Sequence, residues 1–481
     1  MTAVTDRGTV TGDALRGVGR AMVIGLGVSG RAAADALNAA GVTVTVVDAA
    51  IDHPAADEVR ARGVEVLLGV DPAELVDRVE LVVPSPGVPE HTPALVAAQA
   101  AGIPVWSEPE LGWRLHPRAL VGVTGTNGKT STTELVAAMV AAGGRATVAC
   151  GNIGMPLTVA AAASGPDDLL VVELSSFQLR FAGTLRPRVG VLLNLAADHL
   201  DWHPDVAAYG RAKARLWEAQ RPADWAVANR DDPTTLRLRD DHAPGGRAAF
   251  SASGRVEVGV GRVGDELVAD GPAGSALAAG PVVALGDLLG GAAAPYQVAN
   301  VAAAACAALL VGTPVDAVRD AAASFRPGRH RHEVVARRDD GVVFVDDSKA
   351  TNVHAAAAAL ATGGPLVWIA GGRAKAADLG PLADELAAVH DAVLLGEAAD
   401  ELVEVCGRAG VPAHRAATIE EAVGIAARLA APGDTVLLAP ACASFDQFRD
   451  YAERGDRFAA AARRAAGRPQ PPGEEGDRDR G

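Results

Sequence analysis

The run Thr124-Gly125-Thr126-Asn127-Gly128-Lys129-Thr130 carries the clearest chemistry in this chain. It follows an apolar stretch, residues 119–123, and precedes a helix-like segment, residues 131–142. A strand, a glycine turn and a helix in that order present backbone N–H groups and the positive helix end to an anion. Lys129 adds a full charge, and the Thr130 hydroxyl is a hard oxygen ligand for Mg2+. Gly125, Thr126, Asn127, Gly128, Lys129 and Thr130 are therefore candidate contacts for nucleotide phosphates. The cradle is short, because the full phosphate-loop pattern has a glycine where Val123 stands.

More chemistry follows downstream. The apolar run 169–172 delivers Glu173 at its tip, and a second run, 189–194, leads to Asp198-His199-Leu200-Asp201. An acid at a strand tip beside a phosphate loop is where Mg2+ bridging the phosphates needs a ligand. His199 reads either as a further ligand or as a hydrogen-bonding histidine. Lys213, in a helix-like stretch over 206–219, reads on its own as a surface lysine. Asn300 falls in an alanine-rich run, 298–310, suited to a buried helix.

These residues need a scaffold, and the chain supplies three α/β blocks. In the first, residues 21–24 precede Gly25-Leu26-Gly27-Val28-Ser29-Gly30 and a helix through Ala40, and a second strand, 42–47, ends at Asp48. That is the layout of a dinucleotide fingerprint, and it suits NAD or any other nucleotide diphosphate whose ribose or base needs an acceptor. Further strands at 64–68 and 80–83 imply a parallel sheet, with the stiff loop 84–89 at a carboxyl end. The second block starts at the phosphate loop. The third, beyond Phe325-Arg326-Pro327-Gly328-Arg329, alternates strands at 342–345, 366–370 and 435–439 with helical segments, again implying a doubly wound sheet.

Composition narrows the class. At 481 residues the chain exceeds one ordinary core, and the length prior points to about three domains. Lys and Arg number 44 against 59 Asp and Glu, a net charge of −15 that argues against nucleic-acid or anionic-membrane partners. No apolar run approaches the roughly 20 residues of a membrane helix, so no membrane insertion is expected. Cys150, Cys306, Cys406 and Cys442 form no C-x-x-C pair, which favours reduced thiols in the cytoplasm.

Taken together, the motifs resemble those of the Mur ligases, which build the peptide of bacterial peptidoglycan. The resemblance spans about residues 23–458. It rests on Gly25-Leu-Gly-Val-Ser-Gly30, Ser85-Pro-Gly87, the phosphate loop and Gly151-Asn-Ile-Gly154. It continues through Glu173-Leu-Ser-Ser-Phe-Gln-Leu179, Asp198-His-Leu-Asp201, Asp347-Ser-Lys-Ala-Thr-Asn352 and Ala441-Cys-Ala-Ser-Phe-Asp-Gln-Phe448. The phosphate loop alone marks a wider family that includes folylpolyglutamate synthases. The Ser-Ser-Phe-Gln-Leu, Asp-Ser-Lys-Ala-Thr-Asn and Ala-Cys-Ala-Ser segments are similar to those of its D-glutamate-adding branch.

The resemblance implies an α/β fold of three domains. These are a Rossmann-like UDP-substrate domain (1–118), a central P-loop ATPase-like domain (119–326) and a Rossmann-like amino-acid domain (327–467); independently, the Pro-, Gly- and charge-rich composition of 468–481 predicts a disordered tail. It implies a likeness in activity too: ATP-dependent addition of D-glutamate to UDP-N-acetylmuramoyl-L-alanine through an acyl phosphate, by a cytoplasmic monomer. Carried over by position, Thr130 and Glu173 hold one Mg2+, while His199 and a carbamylated Lys213 hold a second. Asn300, Arg331 and Asp347 contact ATP. Gly27, Val28, Ser29, Asp48, Ala49, Ser85, Gly87 and Asn152 line the UDP-substrate path. Thr351, Lys375, Ser444 and Tyr451 form the D-glutamate pocket. Two residues depart from the family pattern: Arg373 stands where an acid is expected, and Tyr451 where phenylalanine is familiar.

Overall fold

In the computed structural model, which describes residues 14–200, 202–272, 277, 279–290, 293–361, 363–374 and 378–467, the apolar runs become strands. Among the described residues they assemble into three sheets. The first has the spatial order Glu65–Leu68, Thr43–Asp48, Arg20–Ile24, Leu81–Pro84, all parallel. Met22, Val23, Val46 and Val82 are fully buried in it, as continuous apolar strands covered on both faces should be. The helix Val28–Ala39 starts so close to the first strand that a Cβ on Gly30 would lie 1.9 Å from the Gly25 carbonyl oxygen. Only glycine permits that approach.

The second sheet is built around Ala119–Thr124. It is flanked by Leu169–Glu173 and Thr147–Gly151 on one side and by Val189–Leu192, Trp225–Asn229, Gly246–Phe250 and Gly259–Val263 on the other, all parallel. The antiparallel strands Glu266–Asp270 and Gly280–Ala284 complete it. Val136 and Met139 of the helix Lys129–Ala142 share a core with the alanine-rich helix Pro295–Leu310, whose small side chains allow close packing.

The helix Glu108–Leu115 fastens these two sheets together. Buried Glu110 accepts the backbone N–H groups of Gly183 (3.0 Å), Thr184 (2.9 Å) and Leu185 (2.9 Å), and Glu108 accepts both the N–H and the hydroxyl of Thr158 at 2.7 Å. Both sheets accordingly fall in one compact unit, Met1–Ala293 with Gln297–Phe325. A second unit, Ala294–Tyr296 with Arg326–Gly481, holds the third sheet. Its order is Glu333–Arg337, Val343–Asp346, Thr435–Leu438, Leu366–Gly371, Val389–Leu395, Ala413–Arg415, with only the first strand antiparallel. The α/β class and the parallel character of all three sheets match the sequence reading. The predicted tail, 468–481, lies outside the described residues, as do Asp201 and Lys375.

Candidate active site

The phosphate loop leaves the strand Ala119–Thr124 with Gly125 at φ 155° and Gly128 at φ 82°, backbone angles that favour glycine. Asn194, just past the strand Val189–Leu192, locks the loop. Its Oδ1 accepts Asn127 N–H at 2.9 Å and its Nδ2 donates to the Asn127 carbonyl at 3.1 Å. Asn300 presses on the other side, where a Cβ on Gly128 would lie 2.4 Å from its Oδ1. Lys129 Nζ donates to the carbonyls of Gly125 (3.0 Å) and Thr126 (2.8 Å). Burial lowers its pKa, opposed by the charges of Glu173 and Asp198. Thr130 stands beside it in the first turn of the helix Lys129–Ala142.

Glu173 ends its strand almost fully buried. Its Oε1 accepts from Asn152 Nδ2 at 2.9 Å, while its buried Oε2 has no hydrogen-bond partner among the described residues. A carboxylate oxygen left unpaired in the interior is costly unless a cation meets it. That hard carboxylate oxygen suits Mg2+, and Thr130, in the first turn of the phosphate-loop helix, offers a hydroxyl of the same chemistry.

His199 adopts φ 55° on the loop after Asn194, with its ring edge against Phe177 at 4.8 Å between centroids. Lys213 projects from the helix Val206–Glu218, which Asp205 caps through Ala208 N–H. It is not the surface lysine its sequence context suggested. It is 1% exposed, and its Nζ donates to the Gly125 carbonyl at 2.7 Å. Burial, and then the Lys129 charge, hold its pKa well below the usual lysine range, against the pull of Asp198 and Glu173. Lys129, Glu173, Asn152, Lys213 and Asn300 thus gather at one loop, with His199 joined to them through Tyr209, whose ring meets both His199 and Lys213.

In the first sheet, Asp48 turns inward. Its carboxylate accepts Leu26 N–H (2.8 Å) and Ala50 N–H (2.9 Å), fixing the glycine turn. Ser85 Oγ donates to the Gly25 carbonyl at 3.4 Å, so Ser85 meets the same turn. Gly27, Val28, Ala49 and Gly87 are exposed around it, and Ser29 is half-buried.

Within the second unit, Asp347 follows Asp346 at the end of the strand Val343–Asp346. Burial and the Asp346 charge push the Asp347 carboxyl up to about 7, and Tyr296 OH donates to it at 3.4 Å. His330 Nδ1 meets Asp346 Oδ2 at 2.7 Å, immediately before Arg331. Ser348 and Lys349 lie against the helix Tyr451–Ala465: Ser348 Oγ donates to the Tyr451 carbonyl (2.8 Å), and Lys349 Nζ sits 3.8 Å above the Tyr451 ring. Ser444 is buried on the adjoining loop, which a pair of backbone hydrogen bonds ties to Arg373 through Ala443. Arg373 is itself paired with Glu397 at 2.9 and 3.0 Å, so the departure from an acid is matched by a local counter-charge.

Comparison with known proteins places this arrangement. A MurD-like N-terminal domain of Mur ligases matches residues 19–107, the Mur ligase middle domain 123–263, and the glutamate ligase domain of Mur ligases 330–442. The chain is 48% identical to a UDP-N-acetylmuramoylalanine–D-glutamate ligase of Frankia casuarinae, over 84% of each chain. It is 43% identical to the enzyme so named in Mycolicibacterium smegmatis, over 80% of this chain and 85% of that one. The chain belongs to the Mur ligase family. Solved ligase structures share its fold. A MurF ligase from Thermotoga maritima in complex with ADP superposes with a TM-score of 0.56 at 17% identity, covering 88% of this chain and 95% of that one. A type C pseudomurein peptide ligase from Methanothermus fervidus gives 0.55 at 20% identity, covering 87% and 96%.

Several site residues of this Mur ligase escape a reading by motif. Asn194 was legible only as the end of a strand, and its clamp on Asn127 needs the fold. Tyr209 had a signal, since it lies one helical turn before Lys213 and must share its face. Lys349 sits inside a quoted motif, yet nothing in the sequence sets it over Tyr451. Buried His203, which hydrogen-bonds Ser176 Oγ at 2.9 Å, had no signal at all.

Proposed function

We infer that this Mur ligase adds D-glutamate to UDP-N-acetylmuramoyl-L-alanine with conversion of ATP to ADP and phosphate, a step of peptidoglycan precursor synthesis. The observation that carries the reading is the buried, unpaired Glu173 oxygen beside the phosphate loop, in a chain 48% identical to a ligase of that name. The alanyl carboxylate attacks the γ-phosphorus of ATP, giving an acyl phosphate and ADP. The D-glutamate amine then attacks the acyl carbon, phosphate leaves, and an amide forms. Two anions must meet in the first step, and their repulsion is its main obstacle. Lys129 and the loop N–H groups lower it by preorganised charge. Mg2+, when bound, adds charge neutralisation between phosphate and carboxylate.

Finer assignments belong to the same proposal. Thr130 and Glu173 hold one Mg2+, and His199 with Lys213 holds a second. Lys213 would serve as a carbamate. Its lowered pKa favours the neutral amine that adds CO2. A carbamate keeps one N–H, so the bond to the Gly125 carbonyl survives while two new oxygens become available. Asn300, Arg331 and Asp347 are assigned to ATP, and Thr351, Lys375, Ser444 and Tyr451 to D-glutamate. Gly27, Val28, Ser29, Asp48, Ala49, Ser85, Gly87 and Asn152 are assigned to the UDP substrate. Asp48 would act there by shaping the turn, since its oxygens already accept backbone N–H groups. Three domains bounded near 118/119 and 326/327 are supported by the three sheets and the family-model spans. A cytoplasmic location completes the reading, supported by four buried free cysteines suited to a reducing compartment, and a monomer is proposed with it. ADP release measured with each component omitted in turn tests it. Release should require ATP, Mg2+, UDP-N-acetylmuramoyl-L-alanine and D-glutamate together, and equal release without the amino acid would overturn ligation.

A further inference from the structure

His203 belongs to none of the motifs, yet it joins the three elements that carry Glu173, His199 and Lys213. It is 1% exposed. Its Nε2 meets Ser176 Oγ at 2.9 Å, three residues beyond Glu173. Its backbone N–H donates to the His199 carbonyl at 2.9 Å, and Trp202 N–H donates to the same oxygen at 3.1 Å. Its ring stacks on Phe177 at 5.8 Å and meets Tyr209 at 5.2 Å. Tyr209 in turn reaches Thr126 of the phosphate loop through its hydroxyl (3.3 Å) and Lys213 through its ring (4.6 Å).

His199 needs such support. A non-glycine residue in the left-handed region is strained, and that conformation persists only where its surroundings over-determine it. The turn that accepts two N–H groups at the His199 carbonyl is pinned, through His203, to Ser176 at the start of the helix Ser176–Arg180. The helix has its own anchor, a capping box in which Ser175 and Gln178 bond reciprocally. The strained loop is thus tied to a fixed point.

The geometry points to His203 as a positioning residue: its bond to Ser176 holds the His199 loop in register with Glu173 and Lys213. This rests on the assignment of His199 and Lys213 to a metal. The bond can be removed from either side, with His203→Phe, which keeps an aromatic ring in the box, and with Ser176→Ala.

Two measurements on the full chain decide the matter. One is the Mg2+ concentration for half-maximal ADP release, alongside the D-glutamate KM. The other is calorimetric titration of Mg2+ into enzyme saturated with the non-hydrolysable imido analogue of ATP, which needs no turnover. Each variant should need about 5- to 10-fold more Mg2+ in both measurements, the worth of one hydrogen bond. The D-glutamate KM should stay within about 2-fold. The double variant should lose no more than the weaker single, because both remove one bond. An unshifted Mg2+ response in both variants would overturn the inference while the parent's activity stands, as would losses that add in the double variant. If His203→Phe does not fold, Ser176→Ala decides alone. A parent without Mg2+-dependent ligation would overturn this inference and the functional reading together.

Discussion

Replacing Glu173 by Gln separates what the carboxylate does for chemistry from what it does for folding. Gln keeps the volume and can still accept from Asn152 through Oε1, now at 2.9 Å. It turns the unpaired Oε2 into an NH2 group that repels a cation where the carboxylate would attract one. Loss of one preorganised charge contact in a water-poor site costs roughly 3–4 kcal/mol, or about 100- to 1000-fold in kcat. Stability should hardly move. Relief of burying a charge with an unpaired oxygen offsets the lost attraction to Lys129, leaving a difference within about 1 kcal/mol. Asn152→Ala, which leaves the charge but removes its only described donor, should cost less, about 1–2 kcal/mol, or roughly 5- to 30-fold. ADP-release kinetics at saturating substrates and urea melts of the same preparations provide both numbers. Glu173→Gln turning over within about 3-fold of the parent would refute the reasoning, and so would a rate loss matched by collapse of the melt.

Other predictions follow from the same geometry. Lys213→Ala should be nearly inactive and partly restored by small carboxylic acids, which supply the oxygen ligand a carbamate would provide; a normal rate would remove the lysine from the mechanism. Stability of the second unit should fall as pH rises from about 4 to about 7, because Asp347 titrates at about 7 when folded and near 3.9 when unfolded, so the folded chain holds a proton the unfolded one has released. Asp347→Asn should flatten that slope in urea melts at pH 5 and 7.5, and an unchanged slope would mean that other groups set it. The full chain should bind a UDP-sugar and not NADH in calorimetric titration, because the other two blocks already account for ATP and the amino acid and leave the first sheet for the remaining nucleotide; micromolar NADH binding without UDP-sugar binding would contradict that.

Much of the scaffold was legible because its signals are local. Apolar runs of strand length, ended by glycine or an acid, located the parallel strands and put Glu173 and the phosphate loop at their carboxyl ends. What stayed hidden depends on contacts distant in sequence. The burial of Lys213 follows from its helix packing beneath the loop some 88 residues earlier, and no property of Gly-Arg-Ala-Lys-Ala announces it. No motif in the sequence marks Glu108 or Glu110, which the fold buries. Their bonds to Thr158 and to residues 183–185 are among the contacts that hold the first two sheets in one unit. Asp48 has a local task that its spacing did not announce: its oxygens accept the Leu26 and Ala50 N–H groups of the turn that precedes the helix.

The proposed reaction makes one stereospecific amide bond from ATP, UDP-N-acetylmuramoyl-L-alanine and D-glutamate. The most direct measurement incubates the enzyme with ATP, Mg2+ and UDP-N-acetylmuramoyl-L-alanine, adds either D- or L-glutamate carrying a heavy isotope, and weighs the nucleotide product by mass spectrometry. The account predicts a single new species, heavier by one labelled glutamate less one water, formed with D-glutamate and with ADP in equal amount. The same species formed equally well from L-glutamate, or ADP released with no such species, would contradict it.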